Sequence, residues 1–194
     1  MKPIILASSS SFRKSLLQKL QLPFTTAAPD VDETPRANET AAELVQRLSL
    51  LKARTVARKI NAQAVIIGSD TVMTVDDTIF GKPLTHAHAV IQLQKASGKP
   101  MHFYTGLCLL DTTTAQEQSC VETYTVTVRP LTTRMIETYL HKEQPYHSAG
   151  SIKAEGLAIA LFETMQGKDF NTLLGLPLIE LVTMLHKADI DVFT

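Results

Sequence analysis

An α/β fold around a mixed, twisted sheet is predicted by three features of the chain. Apolar runs of strand length alternate with segments of helical period along the sequence. Residues 101 to 110 and 119 to 129 are long β-rich runs joined by a polar connection, a hairpin that makes part of the sheet antiparallel. No repeat, linker or low-complexity tract interrupts the 194 residues, so one domain over residues 1–194 is expected. A chain of that length buries roughly 70% of its unfolded surface and needs no covalent staples.

Ile4 to Leu6 reads as a short strand. The serines Ser8 to Ser11 follow, and then Phe12, Leu16, Leu17 and Leu20 fall at helical spacing. A strand, a polar loop and a helix start make a binding geometry: the open N–H groups attract anions, and the serines either cap the helix or bond a phosphate. Gln21 to Ala28 reads as a second strand and runs into Pro29 to Pro35, where prolines and carboxylates exclude a core strand. Thr40 and Glu43 have the spacing of a capping box, and Leu44, Val45, Leu48 and Leu51 carry one apolar face on to about Ile60. Lys52 rides on that helix.

Ala64 to Ser69 and Thr71 to Val75 read as strand segments with Asp70 at the end of the first. Asp76-Asp77 is a turn into a short strand that ends at Gly81-Lys82-Pro83. Thr85 opens a helix through Ala96, and Thr132 to His141 is another. Gln144 to Gly156 lacks periodicity, Leu157 to Phe162 reads as a strand, and a loop through Asn171 leads to a last apolar helix over Leu178 to Leu185.

Nineteen Lys and Arg balance nineteen Asp and Glu, so net charge draws the chain to neither nucleic acid nor an anionic membrane. No apolar run spans a bilayer. Only Ile4 to Ala7 are apolar before the serines, so a first strand explains the N-terminus better than an export signal, and a cytoplasmic protein is expected. Cys108 and Cys120 sit symmetrically in the hairpin, where they can face each other across paired strands; the reducing compartment makes them core thiols.

Polar residues stranded at the ends of apolar elements are the candidates for chemistry: Ser8, Ser9, Ser10, Arg13, Glu33, Lys52, Asp70, Lys82, Lys153 and Glu155. A carboxylate at the end of a buried run, as at Asp70, asks for a cation, a proton or a metal, or else forms a turn. Serines, cations and carboxylates without a His or Cys cluster suit a phosphate ester held with a hard cation. Taken singly, each also has a plain reading: Ser8 to Ser11 as a helix cap, Arg13 and Lys52 as solvated helix residues, Glu33 as a loop carboxylate. His86 and His88 read as solvated, since an i, i+2 pair does not share a helical face. No Gly-x-Ser-x-Gly elbow, P-loop or Gly-x-Gly-x-x-Gly is present.

In order, SSSSFR (8–13), DETP (32–35), Lys52, GSDTV (68–72), GKP (81–83), FYTG (103–106), AGSIKAEG (149–156) and NTLLGLP (171–177) resemble the Maf family of nucleoside triphosphate pyrophosphatases. The resemblance implies a single Maf-like domain of two lobes, related to the inosine triphosphate pyrophosphatases, with a nucleotide cleft between the lobes. It implies a divalent cation (Mg²⁺, Mn²⁺ or Co²⁺), hydrolysis of a nucleoside triphosphate to monophosphate and pyrophosphate, and a homodimer. By the same resemblance Asp70 is the catalytic acid/base; Glu33 and Asp70 hold metal; Ser8, Ser9, Arg13, Lys52 and Lys82 bind phosphate. Phe12, Thr71 and Lys153 fall at the positions that sort substrates.

Arginine at the first of those positions and glutamine at the third mark the dTTP- and UTP-cleaving branch, and this chain has neither. Phe12 and the IKAEG string resemble the branch that cleaves 7-methyl-GTP, while Thr71 and Phe170 stand where that branch has glutamine and proline. An aromatic face attracts a base made cationic by N7-methylation; the plain reading of Phe12 is core packing on Leu16. Lys153 would repel such a base unless it aims at the guanine O6 or a phosphate, or is neutralised by Glu155. A pyrimidine nucleotide pyrophosphatase of the same family, and a nucleotide-sensing protein of cell division without turnover, are the alternatives.

Overall fold

The structure, a computed structural model, describes residues 2–60 and 62–193. Its strands are β1 (Ile4–Leu6), β2 (Phe24–Thr26), β3 (Val65–Val75), β4 (Thr78–Phe80), β5 (Pro100–Asp111), β6 (Gln116–Val128) and β7 (Phe162–Gly167). The helices are α1 (Ser11–Gln18), α2 (Ala41–Ile60), α3 (His86–Ala96), α4 (Thr133–Glu143), α5 (Phe170–Leu174) and α6 (Leu178–Lys187). A seven-stranded mixed sheet runs in the order β2-β1-β3-β5-β6-β7, with β4 paired to β3 off that path. No helix among the described residues is long and apolar enough to cross a membrane. The chain divides into two compact units, one of Met1–Thr71, Tyr104–Glu122 and Asp169–Thr194, the other of Val72–Phe103 and Thr123–Lys168.

In the first unit β1 runs parallel to both β2 and β3, with Leu6 opposite Thr26 and Ile67. The alternation of β3 sends Val65 and Ile67 into a core with Leu16 and Leu17 of α1 and Leu181 and Leu185 of α6. Ile66 goes the other way, to Ala53 and Val56 of α2. Burying each such Leu, Ile or Val stabilises the fold by about 1.5–3 kcal/mol. Helix α2 begins on the expected capping box: Thr40 N–H donates to Glu43 Oε2 (2.9 Å) and Glu43 N–H to Thr40 Oγ1 (3.3 Å).

Two glycines set how closely α2 lies on the sheet. A Cβ on Gly68 of β3 would come within 2.1 Å of the Ser49 carbonyl oxygen, and one on Gly106 of β5 within 2.1 Å of that of Val45. Only glycine lets the helix backbone touch the strands there. Residue 70 shares the α2-facing side with Gly68, so this close approach brings α2 side chains to Asp70.

In the second unit Asp76 and Asp77 take φ of 48° and 60° and turn β3 into β4, with Val75 opposite Thr78. That is the positive-φ geometry a two-residue hairpin turn requires, and Asp tolerates it. Thr85 caps α3 and Thr132 caps α4, each accepting an N–H three residues on. Gly150, at φ 63°, leaves room for Met73, whose Cε would lie 1.7 Å from an added Cβ. β6 pairs antiparallel with β7 from Tyr124 opposite Gly167 to Val128 opposite Phe162.

Several expectations need correction. The second strand shrinks to Phe24–Thr26, because only those residues find β1 as a partner. β3 is continuous through Asp70, so Asp70 is neither a strand end nor a turn; what stops is β1, at Leu6, opposite Ile67. The run Leu157–Leu161 is 3-10 helical and the strand lies beyond it, at Phe162–Gly167. A short apolar run carries too little periodicity to tell the two apart. The loop through Asn171 holds α5, capped by Asp169, whose carboxylate accepts the N–H groups of Asn171 (2.8 Å) and Ile179 (2.9 Å). Cys108 packs with the α2-side core and Cys120 with the α1/α6-side core, so they sit on opposite faces of the sheet and no disulfide joins them.

Candidate active site

The first unit gathers most of the charged candidates around β3. Lys52 is buried, at 3% exposure, and its Nζ lies 2.5 Å from Asp70 Oδ1 and 2.6 Å from Glu33 Oε1. The plain reading of Lys52 as a solvated helix residue is therefore overturned. Asp70 is also buried (7%), and a carboxylate tolerates that position because the ammonium is beside it. Glu33 reaches in from the loop and stays exposed. The loop is tied to α2 by Arg47, which pairs with Glu39 through Nε (2.5 Å) and Nη2 (2.7 Å) and donates to the Thr34 carbonyl (3.1 Å).

The opposite side of β3 orients Arg13. Its Nε donates to the Gly175 carbonyl (2.9 Å) and its Nη2 to Thr71 Oγ1 (3.4 Å). Thr105 Oγ1 donates to the Thr172 carbonyl at 2.8 Å, which spends its proton, so the 3.0 Å contact between Thr71 and Thr105 has Thr71 as donor. Ser69 shares its hydroxyl proton between the carbonyls of Gly106 (2.8 Å) and Gly175 (2.9 Å). Gly175, at φ 108°, ends α5 and turns its carbonyl to Arg13 and Ser69; a Cβ there would lie 3.3 Å from Thr71 Oγ1. Burial lowers the Arg13 pKa, while Asp70 and Glu33 oppose that shift. Two cations against two carboxylates leave this cluster balanced, so a triphosphate entering it requires further positive charge.

The serine loop leaves β1 where Ala7 N–H still donates to the Ile67 carbonyl (2.8 Å). Ser10 caps α1, accepting from Arg13 N–H (3.4 Å); Ser8 is buried and accepts from Ser10 N–H (3.1 Å); Ser9 is exposed. Phe12 is 52% exposed, so the core-packing reading fails. One residue from Arg13, it shows an aromatic face to solvent.

Lys82 and Lys153 belong to the second unit. Lys82 is exposed in the loop between β4 and α3, whose Gly81 carbonyl accepts from Gly150 N–H (3.1 Å) and Gln92 Nε2 (3.0 Å). Lys153 Nζ pairs with Glu143 Oε2 at 3.1 Å, so Glu143 of α4, not Glu155, is its counter-ion. His86 is not simply solvated: its Nε2 lies 2.9 Å from Glu137 Oε2 and its Nδ1 3.1 Å from the Tyr146 hydroxyl. His88 is exposed, as expected.

A family model described as Maf-like protein matches residues 3–188. The chain belongs to the Maf family. It is 50% identical over 190 residues to a 7-methyl-GTP pyrophosphatase of Pseudoalteromonas atlantica, covering 98% of this chain and 97% of the relative. A 7-methyl-GTP pyrophosphatase of Aliivibrio fischeri is 49% identical over 189 residues, covering 97% of each. Among solved structures, the Ham1 protein of Staphylococcus aureus aligns with 66% of this chain and 73% of its own at a TM-score of 0.47 and 15% identity.

In this Maf chain the DETP loop, Lys52 and GSDTV motif meet in one ion-pair cluster, and the SSSSFR and NTLLGLP motifs meet through Arg13 and Gly175. Ser69, Thr105 and Gly175 lie inside motifs singled out above, but their task of aiming Arg13 requires the fold to be seen. Arg47, Glu39 and Glu143 lie in no motif. Glu143 had one weak signal: it follows Tyr139 by four residues, and both face the 151–157 segment. Asp70 and Glu33 each place one oxygen against Lys52 Nζ, so the two carboxylates lie near each other, and Mg²⁺ takes a few carboxylate oxygens of this kind when phosphate and water oxygens complete its shell. Among the described residues no group of three or more His, Cys, Asp and Glu gathers to cage a metal without substrate.

Proposed function

We propose that this Maf protein is a metal-dependent nucleotide pyrophosphatase that hydrolyses 7-methyl-GTP to 7-methyl-GMP and pyrophosphate, clearing a modified nucleotide from the cytoplasm. The observation that carries the chemistry is the buried Lys52 ammonium held between Asp70 and Glu33. The names of the relatives at about half identity support the reaction and the base.

Asp70 Oδ1 is paired with Lys52. The Asp70 carboxylate is the base that takes a proton from water. The water oxygen bonds to the α-phosphorus, the bond from that phosphorus to the α–β bridging oxygen breaks, and the electron pair leaves on the pyrophosphate. Lys52 has three N–H donors; two serve Asp70 and Glu33, and the third meets a phosphate oxygen. Arg13, with Nε and Nη2 engaged, offers Nη1, and Ser8, Ser9 and Lys82 add donors. Asp70 and Glu33 would hold the divalent cation, which supplies positive charge to the phosphate oxygens.

Phe12 meets the base, where an aromatic face contributes about 0.5–2 kcal/mol toward a cation. Thr71 bears on the substrate by aiming Arg13, and Lys153 reads the base edge. The test is kcat/KM over 7-methyl-GTP, GTP, dTTP and UTP with Mg²⁺, Mn²⁺ and Co²⁺. 7-methyl-GTP is expected to be cleaved best; equal rates on dTTP or UTP overturn the base, and binding without pyrophosphate release overturns the enzyme.

A further inference from the structure

The last turn of α4 pins the segment that carries Lys153. The Tyr139 hydroxyl donates to the Ser151 carbonyl (3.1 Å) and accepts from Lys153 N–H (3.0 Å). One turn on, Glu143 Oε1 accepts the Leu157 N–H (2.7 Å) while Oε2 meets Lys153 Nζ (3.1 Å). Gly156 makes this fit: a Cβ there would lie 2.7 Å from Oε1 and 2.9 Å from Oε2. The carboxylate has one oxygen for the backbone and one for the lysine, and its side chain is largely buried.

An isolated ammonium at a position that reads a base repels a base that is itself a cation. We propose that Glu143 is a specificity-determining positioning residue, whose carboxylate cancels the charge of Lys153 and so lets this segment accept a cationic, N7-alkylated purine. The inference rests on the reading of Lys153 as a base-contacting residue. It assigns the preference for a charged base to a pair of residues, with Gly156 as the condition for their meeting.

The variants are Glu143→Gln, which keeps an oxygen for Leu157 N–H and removes the charge, Lys153→Met, and the double variant. For each, the ratio of kcat/KM on 7-methyl-GTP to that on GTP is measured below the pH at which the methylated base loses its N1 proton. These substrates differ by one methyl group and one charge, so general damage to the fold cancels in the ratio. Glu143→Gln is expected to lower the ratio about tenfold, Lys153→Met to raise it, and the double variant to return it close to wild type. A ratio unchanged in Glu143→Gln, or not restored in the double variant, overturns the inference. The wild-type ratio tests the base reading; the order of the four ratios tests Glu143.

Discussion

Lys52 Nζ lies 2.5 Å from Asp70 Oδ1, a buried ion pair joining the middle of α2 to the middle of β3. Removing Lys52 leaves the Asp70 charge without this partner in a low-dielectric setting, whereas removing the Asp70 charge leaves Lys52 paired with Glu33. Lys52→Met is expected to destabilise the protein by about 3–5 kcal/mol in urea unfolding, and Asp70→Asn by less, since the amide remains a hydrogen-bonding group. Asp70→Asn should lower kcat by about 10² to 10⁴ while 7-methyl-GTP binding, measured by calorimetry, stays within a few-fold. Wild-type turnover in that variant would remove Asp70 as the base.

Glu39 is held down to about 2, against an ordinary value of 4.5, first by its hydrogen bond from Arg47 and then by the Arg36 N–H and the charges of both arginines, with burial opposing. A carboxyl lowered in the folded state adds stability above its unfolded pKa, and that stability is lost as pH falls from about 4.5 toward about 2. Wild type should therefore exceed Glu39→Gln in urea midpoint at pH 6, and the two should converge on acidification through that window. Because Arg47 also holds Thr34, next to Glu33, the variant should require more metal for half-maximal activity.

Gly68→Ala would place a Cβ 2.1 Å from the Ser49 carbonyl oxygen, which is backbone and cannot rotate away. Helix α2 must lift, at about 1–3 kcal/mol, and Lys52 lifts with it. The fall in kcat/KM should exceed what the loss of folded protein explains, measured at a temperature where the variant stays folded.

Thr71→Val keeps the shape of the side chain and removes both the acceptor for Arg13 Nη2 and the donor to Thr105. A loss of about 1–3 kcal/mol in stability is expected. KM should rise alike on 7-methyl-GTP and GTP if Thr71 acts through Arg13 on phosphate, and a change confined to one base would contradict that.

Phe12→Ala should leave stability within about 0.5 kcal/mol, because the ring is half exposed. KM for 7-methyl-GTP should nonetheless rise by up to about thirtyfold, and that for GTP by less. Equal effects on both would make Phe12 a general stacking surface and not a reader of charge.

Local chemistry carries much of this protein in its sequence. The capping pair Thr40 and Glu43 and the Asp76-Asp77 turn form as the spacing predicts, and the caps at Ser10, Thr85 and Thr132 likewise depend on residues within three or four positions of one another. The run Leu157–Leu161 misled, since five apolar residues show no distinguishable period. Asp70 stands out for a local reason too: few backgrounds call for an aspartate after four apolar or small residues.

Their pairing belongs to the folded chain. Lys52 reaches Asp70 because Gly68 and Gly106 let α2 settle onto β3 and β5, and no spacing along the chain encodes a contact across eighteen residues. Arg13 takes its aim from Gly175, which is 162 residues away, and Lys153 finds its counter-ion in Glu143 through the gap that Gly156 leaves. Hydrogen bonds and ion pairs act over about 3 Å of space whatever the length of chain between the partners. The sequence determined which charged and polar groups the chain carries at the ends and faces of its elements, and the packing of α2 and α4 decided which of them meet.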